Sequence, residues 1–538
     1  MVPDHGQDGD RPEPLDVPAE PSPPGPADRR APCALPLAPL DARERSWYGG
    51  ARVAPGTPAY DGGIDGTGRA GTGTTGEGSS STEHSVGAAP TRSPVRSRSP
   101  VRSPSPVRSP SPVRSRSPAR SRSPAALADV RVLEIANWVA GPSAGALLAD
   151  LGADVVKVEP LSGDAMRGKL RQPNRRAAPA ALVAADVPFH LDNRGKRSVA
   201  VDLAHDRGSA LVRRLASGVD VLLTNLLPGR LARYGLGPDQ LTAADPRLVY
   251  AVVTAHGTAG EAADRTGFDL TTFFGRGALM SLVGEPDEPP PAFRPGQGDH
   301  PTGLALLAGI LAALRVRDRT GRGQVVETSL LRTAAWTIGC DVAVTLVDRV
   351  QPRKRGRAEP ISPLNTRYRC GDGVWISLSA QDQGLWSRFC RSVGRPDLAD
   401  DARYATSAGR FEHATFLVGE LDVVFAARPA AGWTGPLDDS GIIWAAVAEL
   451  PDLVADPQAR ANGMFAEVDD PVAGPFETLA APFTLSGTPA VVRGPAPTIG
   501  RDTRDVLGAL GVTGAEIDDL VRAGVVAETG EPASPNGD

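Results

Sequence analysis

The sequence predicts a mixed α/β protein built around a mostly parallel sheet. Residues 130–136 and 154–160 are short runs rich in Val, Leu and Ile, typical of buried strands, and a helical segment lies between them. Strand-like and helical segments then alternate as far as Thr254, and a glycine-spaced loop precedes a long apolar helix that starts near Pro301. Such alternation is typical of a parallel sheet flanked by helices.

The first folded segment has the order of a βαβ unit. The strand 130–136 is followed by a turn, a helix over 144–153 and the strand 154–160, near whose end lies Glu159. Three further strands and one helix are predicted: Ser198–Leu203, Asp220–Thr224 and Leu248–Thr254, with the helix Arg207–Ser217.

A dinucleotide-binding oxidoreductase is one interpretation of this unit. An acid at the end of the second strand fits the ribose contact of such enzymes. However, Gly141 and Gly145 are four positions apart and Pro142 lacks the N–H that a pyrophosphate would need. The fingerprint is therefore only partly matched.

Residues 1–126 form a long N-terminal tail that we predict to be disordered. They are rich in Pro, Gly, Ser and Thr, and residues 92–124 repeat Arg, Ser and Pro without an acid. The repeat is similar to the arginine-serine tails of RNA-processing proteins and offers Ser-Pro phosphorylation sites. A solvated linker of no further role has the same composition, and we favour it because no RNA-binding module accompanies the tail.

Charge and cysteine content narrow the class of protein. The formal net charge of −5 gives no general case for nucleic-acid binding. The four cysteines form no CxxC pair and no metal-ligand spacing, which favours a reducing compartment. The longest apolar run, 303–314, is too short to cross a bilayer, and the first residues lack a signal-peptide pattern. We expect a cytoplasmic protein without a metal site or a membrane partner.

Asp299 is the candidate catalytic residue and opens the long helix. One interpretation is a helix N-cap, because Asp is a preferred capping residue. The other is a nucleophile, in a loop whose Gly296 and Gly298 expose backbone N–H groups and admit a substrate. We expect one helix face to be apolar and its small residues to allow close packing. The predicted apolar residues are Leu304, Leu307, Ile310, Leu311 and Leu314, and the small ones are Gly303, Ala305 and Ala308.

Several long motifs resemble those of the family III CoA-transferases. They are L-E-I-A-N-W-V-A-G-P-S-A-G at 133–145, N-R-G-K-R-S-V-A-V-D-L at 193–203, D-V-L-L-T-N-L-L-P-G-R at 220–230, D-P-R-L-V-Y at 245–250 and G-D-H-P-T-G at 298–303. The motifs lie in the family's order between about 127 and 525.

The resemblance implies a fold and an assembly. A Rossmann-like large domain would be built from residues 127–350 and 482–538, with a smaller α+β domain inserted at 351–481. Two chains would form an interlocked homodimer.

The resemblance also implies a reaction. Asp299 would attack an acyl-CoA thioester and carry CoA, through a covalent aspartyl intermediate, to a free carboxylic acid. Coenzyme A would be a co-substrate, and no cofactor would be permanently bound. The implied CoA contacts are Val139, Ala140, Asn225, Leu226, Arg233 and Arg265. The basic cluster Arg194, Lys196 and Arg197 has the right charge, although a solvated surface explains it equally well. Pro160 stands where some members have a basic residue, and Leu226 stands where many members have an aromatic residue.

Two alternatives to the transferase remain open. Racemases of the same family use a histidine in a G-H-D motif and an aspartate to move the α-proton of a 2-methylacyl-CoA. Here the motif is Gly267-Phe268-Asp269, and Phe268 cannot take a proton, which favours the transferase, with His256 and His300 left as candidate bases. The other alternative is a non-catalytic relative whose Arg/Ser-rich tail binds polyanions.

Overall fold

The computed structural model describes residues 125–169, 186–380, 382 and 384–528. The prediction of a disordered tail falls outside these residues except at its last two positions. The twelve strands of the described chain are β1 (Arg131–Ile135), β2 (Asp154–Glu159), β3 (Arg197–Val201), β4 (Val221–Thr224), β5 (Val249–Thr254), β6 (Val325–Ser329), β7 (Arg367–Arg369), β8 (Trp375–Ser379), β9 (Ile443–Ala446), β10 (Phe465–Asp470), β11 (Gly474–Leu479) and β12 (Val526–Ala527).

A seven-stranded sheet in the order β12–β3–β2–β1–β4–β5–β6 forms the centre of the fold. All pairings are parallel except that of β12 with β3, so the predicted parallel sheet is confirmed. The first five strands lie within a few residues of the predicted segments, whereas β6 and β12 were not predicted. The strand order reverses direction between β1 and β4, and ligands of open α/β sheets bind at the carboxyl ends of the strands at such a point.

Helices cover both faces of this sheet. The α-helices of the described residues are α1 (Ala140–Asp150), α2 (Val187–Asn193), α3 (Asp206–Ala216), α4 (Pro228–Tyr234), α5 (Pro238–Ala244), α6 (Leu279–Leu282), α7 (Asp299–Thr320), α8 (Leu330–Thr337), α9 (Gly339–Asp348), α10 (Leu385–Ser392), α11 (Pro396–Asp400), α12 (Ser407–Glu412), α13 (Ala414–Ala426), α14 (Thr434–Ser440), α15 (Leu450–Ala455), α16 (Pro457–Ala461), α17 (Thr503–Ala509) and α18 (Gly514–Arg522). Short 3₁₀ turns occupy Ala402–Tyr404 and Ala430–Trp433, and a π-helical turn occupies Leu270–Arg276.

Two apolar clusters lie on opposite faces of the sheet. Successive side chains of a strand point to opposite faces, so Val132 joins the cluster with α1 and α7, and Leu133 joins the cluster with α3, α17 and α18. Both side chains are fully buried. Burial on both faces explains why these strands are mostly apolar rather than alternating, and the buried charges within them, Glu134 and Lys157, pair with each other.

Helix α7 packs against α1 through its first turns. A Cβ atom on Gly303 would lie 2.1 Å from the Ser143 hydroxyl oxygen and 2.7 Å from the Ala140 carbonyl oxygen, which confirms the predicted close approach there. Ala305 and Ala308 are exposed, so the same expectation is wrong for them.

The predicted apolar face of α7 is also partly wrong. Leu304 and Leu311 are 40% and 36% exposed, whereas Leu306 and Ala313 are buried. Leu307, Ile310 and Leu314 are buried as predicted. The helix is apolar around most of its circumference, so the sequence pattern alone leaves its rotation undetermined.

Residues 364–442 contain a separate apolar cluster. It joins the antiparallel sheet β7–β8–β9 to helices α10, α13 and α14, with Trp386, Phe389 and Trp433 among its largest buried side chains. Strands β10 and β11 form an antiparallel hairpin. No single helix of the described chain has the length and apolarity to span a membrane; α8 and α9, bent by 85°, meet that test of length and composition only as a pair.

Candidate active site

Asp299 is the first residue of α7, and its side chain caps nothing. The N-cap position is taken by Gly298, without a side-chain cap bond. The cap interpretation of Asp299 is therefore wrong. Within the described residues its carboxylate accepts no hydrogen bond, which leaves both oxygens available for chemistry.

A second carboxylate, Asp269, organises the loop before Asp299. Its Oδ2 accepts the backbone N–H groups of Gly296 at 2.7 Å and Gly298 at 3.3 Å, and its Oδ1 accepts that of Leu270 at 2.8 Å. The expectation that Gly296 and Gly298 offer free donors to a substrate is thus wrong, because a buried acid uses them. What Asp269 provides instead is a fixed loop that holds Asp299 in place.

The electrostatic surroundings of Asp299 make its carboxylate unusually basic. Burial, followed by the neighbouring charges of Asp269 and Asp192, raises its pKa to about 7, although His300 acts in the opposite direction. A carboxylate with this pKa is partly ionised at neutral pH and is a better nucleophile than one with an ordinary pKa near 4.

His300, the next residue, contacts a third carboxylate. Its Nε2 lies 3.1 Å from Oδ1 of the buried Asp192 on α2. Burial alone would lower the pKa of His300, but Asp192 and Asp299 raise it above its ordinary value. The nucleophile candidate is therefore followed directly by a histidine whose pKa is raised by two neighbouring carboxylates.

A cavity of about 220 Å³ lies in front of Asp299, where the sheet reverses its strand order. Of the predicted site residues, it brings together Ala140, Asn225, Leu226, Arg265 and Asp299. Residues that the sequence did not single out as site residues also line it. The main ones are Asn137, Trp138, Arg230 and Phe268.

Asn225 joins the ends of β1 and β4 across the floor of the cavity. Its Nδ2 donates to the Asn137 carbonyl at 2.7 Å, and its Oδ1 accepts from the Asn137 N–H at 3.1 Å. This reciprocal pair fixes the two strand ends at the switch point, so Asn225 shapes the cavity even before any ligand contact.

Trp138 is held at the cavity in an uncommon backbone conformation. Its φ angle is 70°, in the left-handed region that few residues other than Gly adopt. Its N–H donates to Asp164 at 3.0 Å, and Asp164 in turn forms an ion pair with buried Lys157 at 2.8 Å. The Trp138 ring meets that of Phe268 edge to face, with 5.1 Å between centroids. Such a strained turn persists because the buried network supports it.

Five predicted contacts lie outside the cavity lining. Arg194 is buried against Asp150 at 2.7 Å, and Lys196 against Glu134 at 2.7 Å, so these two are neither a solvated surface nor free cations. Arg197 is half-exposed and forms an ion pair with Asp154. Val139 is buried, and Arg233 is exposed. Whether any of them contacts CoA stays a prediction.

Arg230 and Arg265 are the two cations of the cavity lining, and no ion pair within the described chain neutralises them. Arg230 lies three positions before Arg233, one turn earlier on α4. That spacing was the available signal, since residues three apart share a helix face.

The acid at the end of β2 does not support the dinucleotide-binding alternative. Glu159 is buried and bonds Arg167 at 2.7 Å and the Ser198 hydroxyl at 2.6 Å. Burial alone would raise its pKa, but Arg167 and Lys157 hold it at about 2. A carboxylate engaged in this way is not free to bind a ribose, so that interpretation is wrong. Among the described residues, no group of His, Cys, Asp and Glu side chains is arranged to hold a metal ion.

Comparison with known proteins shows the family to which this chain is similar. The sequence model of CoA-transferase family III matches residues 127–503. The (R)-2-hydroxy-4-methylpentanoate CoA-transferase of Clostridioides difficile is 30% identical over 406 residues, 74% of this chain and 99% of that protein. The succinate–glutarate CoA-transferase of Agrobacterium fabrum is 33% identical over 396 residues, 71% of this chain and 95% of that protein.

Solved structures give the same result. The crystal structure of a CAIB/BAIF family protein from Brucella suis matches with a TM-score of 0.61 and 29% identity, and the match covers 71% of this chain and 98% of that one. The sequence motifs, the parallel sheet and the extent of these matches lead to one conclusion: the chain belongs to CoA-transferase family III.

Proposed function

We propose that this enzyme moves CoA from an acyl-CoA thioester to a free carboxylic acid through a covalent intermediate on Asp299. The observation that carries the proposal is the position of Asp299. It lines the cavity at the start of α7, its carboxylate makes no hydrogen bond to the described residues, and its pKa is raised to about 7. The relatives named above, CoA-transferases for hydroxy and dicarboxylic acids, support the overall reaction.

The first half of the proposed reaction releases the donor acid. A carboxylate oxygen of Asp299 attacks the thioester carbonyl, the C–S bond breaks and CoA leaves as a thiolate. The thiolate then attacks the Asp299 carbonyl of the resulting anhydride, which frees the donor carboxylate and leaves an aspartyl-CoA thioester. The partial positive charge of the α7 N-terminus favours the developing oxyanions.

The second half reverses these steps with a new acid. The acceptor carboxylate attacks the aspartyl-CoA thioester and expels the thiolate, which attacks the acceptor carbonyl of the new anhydride. Acyl-CoA leaves and Asp299 is regenerated. Bonds and charges balance without water, ATP or a redox cofactor.

The size of the cavity indicates that only part of an acyl-CoA molecule binds inside it. Its volume of about 220 Å³ is below the range of about 300–1,000 Å³ typical of drug-sized ligands. We therefore place the acyl group and the thioester inside, with the phosphates at Arg230 and Arg265. Guanidinium groups bind phosphate oxygens through paired donors.

The assembly and location of the enzyme belong to the same proposal. Trp336 on α8 and Val347 on α9 are each 86% exposed, which is unusual for large apolar side chains and supports burial in an interlocked homodimer. The separate apolar cluster of residues 364–442 supports the inserted smaller domain. Light scattering on the purified protein tests the homodimer, and fractionation of the source cells tests a cytoplasmic location.

The racemase alternative receives no support from His256. Its Nδ1 lies 3.3 Å from the Arg276 guanidinium, an obligatory donor, so that nitrogen is occupied as an acceptor. Burial and then Arg276 lower the pKa of His256. Phe268, at the position of the racemase histidine, is an apolar part of the cavity wall.

Isotope exchange separates the two reactions. We expect the enzyme to incorporate a labelled free acid into its acyl-CoA pool without ATP and with little hydrolysis, and Asp299→Ala to lose this exchange. Solvent deuterium at the α-carbon of a 2-methylacyl-CoA, with no exchange of free acid, would instead identify a racemase.

A further inference from the structure

His300 is a half-exposed side chain that faces a buried carboxylate. Its Nε2 lies 3.1 Å from Oδ1 of Asp192. Burial lowers the pKa of His300, but Asp192, Asp299 and the backbone of Gly296 together raise it above its ordinary value. The surroundings of His300 therefore favour its charged form.

Asp192 is itself held in place by the end of α2 and the start of β3. The side chain of Asp192 is 4% exposed. Its backbone carbonyl accepts a hydrogen bond from the buried Lys196 ammonium at 2.7 Å. Burial raises the pKa of Asp192, and His300, Lys196 and Arg194 act against that rise. A buried carboxylate on a fixed helix end can hold the His300 ring in one orientation, as carboxylates that hydrogen-bond functional histidines do.

Charges of both signs act on Asp299. Asp269 in the loop before the π-helical turn and Asp192 on α2 both disfavour its ionisation, whereas His300 on its own helix favours it. His300 is thus the cation that offsets two acids around the reacting carboxylate.

We propose that His300, oriented by Asp192, is a positioning residue whose charge keeps Asp299 ionised and ready to attack. The proposal rests on the proposed role of Asp299 as the nucleophile. The two acids that fix the loop and the histidine would otherwise keep a proton on Asp299, and a protonated carboxyl cannot form the anhydride.

The test is the pH dependence of the attack itself. Wild type, His300→Asn and Asp192→Asn are mixed with an acyl-CoA, quenched at millisecond to second times, and the covalent adduct on Asp299 is quantified by mass spectrometry from pH 5 to 9. We expect the acidic limb of the rate profile to move to higher pH by about one unit in His300→Asn, because loss of a neighbouring cation raises a carboxyl pKa by this order. At pH 9 the rate should approach that of wild type.

Two further variants decide between charge and structure. His300→Lys keeps a cation and should leave the acidic limb closer to its wild-type position. His205→Asn, at the exposed N-cap of α3 where Asn is an equally good cap, should leave the profile unchanged. In Asp192→Asn two effects oppose each other, because the change removes both the acid that supports the imidazolium and an acid that raises the pKa of Asp299, so the limb should move less than in His300→Asn.

Each outcome has one meaning. A rate that falls equally at every pH in His300→Asn, with no movement of the limb, would overturn the proposal and leave His300 a structural role. A wild-type enzyme that forms no adduct but exchanges free acids would remove the covalent role of Asp299, and the inference would fall with it. An adduct in wild type with an unmoved limb in His300→Asn would refute the inference alone.

Discussion

Replacing Asp299 by Asn should stabilise the protein at neutral pH while abolishing transfer. In the folded protein the pKa of Asp299 is raised to about 7 from its ordinary 3.8, first by burial and then by Asp269. Asn has nearly the same shape and cannot ionise, so it removes the cost of a charge in this site. A gain in stability on loss of a functional group is expected where a site is strained for function.

The size of the effect follows from linkage. Each pH unit between the folded and unfolded pKa corresponds to 1.36 kcal/mol, so values of about 7 and 3.8 set an upper limit of about 4 kcal/mol. Partial water access and residual structure in the unfolded chain reduce this, and we expect about 1–2 kcal/mol. In a domain of this size that corresponds to a rise in Tm of about 2 °C or more.

The sign of the pH dependence is fixed by the raised pKa. Below about pH 4 both folded and unfolded chains hold the Asp299 proton, so wild type and variant should be equally stable. Between pH 4 and 7 only the folded wild type holds it, and as the pH rises through 7 this contribution to its stability is lost. The advantage of Asp299→Asn should therefore be small at pH 5 and complete at pH 8.

Thermal unfolding of both proteins at pH 5 and pH 8 measures this difference. Asp239→Asn serves as the control, because Asp239 is an exposed acid in the first turn of α5 and its loss should not stabilise the protein. An equal Tm difference at the two pH values, or a less stable Asp299→Asn at pH 8, would refute the argument that the site disfavours the ionised carboxylate.

Three further changes test the packing and the cavity. Gly303→Ala should cost about 1–3 kcal/mol in urea unfolding because its Cβ would meet atoms of α1, whereas Gly419→Ala on α13, with open space around it, should be neutral or stabilising; equal effects would contradict the helix contact. Asp269→Ala should lower kcat by at least about tenfold and lower Tm, because three backbone N–H groups lose their acceptor; an unchanged kcat would show that the loop needs no such anchor. Arg230→Ala should raise KM for acyl-CoA more than Arg233→Ala does, because only Arg230 lines the cavity; the reverse order in steady-state kinetics would favour the contact implied by resemblance.

The central sheet could be predicted because its strands carry their own signal. Strands β1, β2 and β5 are buried on both faces, and such burial favours mostly apolar runs that are visible in the sequence. Strand β6 is half-polar and β12 has only two residues, so the sequence of neither strand can be distinguished from that of a loop. Which face of α7 is buried could not be predicted without its neighbours, because the helix itself is apolar around most of its circumference.

The site residues that the family resemblance identified could be predicted from the sequence. The partners of those residues could not, because contacts between distant parts of the chain determine them. Asp299 and Asn225 do line one cavity. The ion pair of Arg194 with Asp150 joins residues 44 positions apart, and no local sequence pattern predicts such a contact. Likewise, Asp269 accepts a hydrogen bond from the Gly296 N–H only because the fold brings two separate loops together.

The most direct test of the account is intact-mass spectrometry of the enzyme incubated with a panel of acyl-CoAs and then trapped with hydroxylamine. We predict a hydroxamate at Asp299 in wild type and none in Asp299→Ala, with the productive donor identifying the class of acid that the enzyme uses. If no donor gives an adduct at Asp299 while labelled free acids still exchange into acyl-CoA, the covalent role assigned to this residue is wrong.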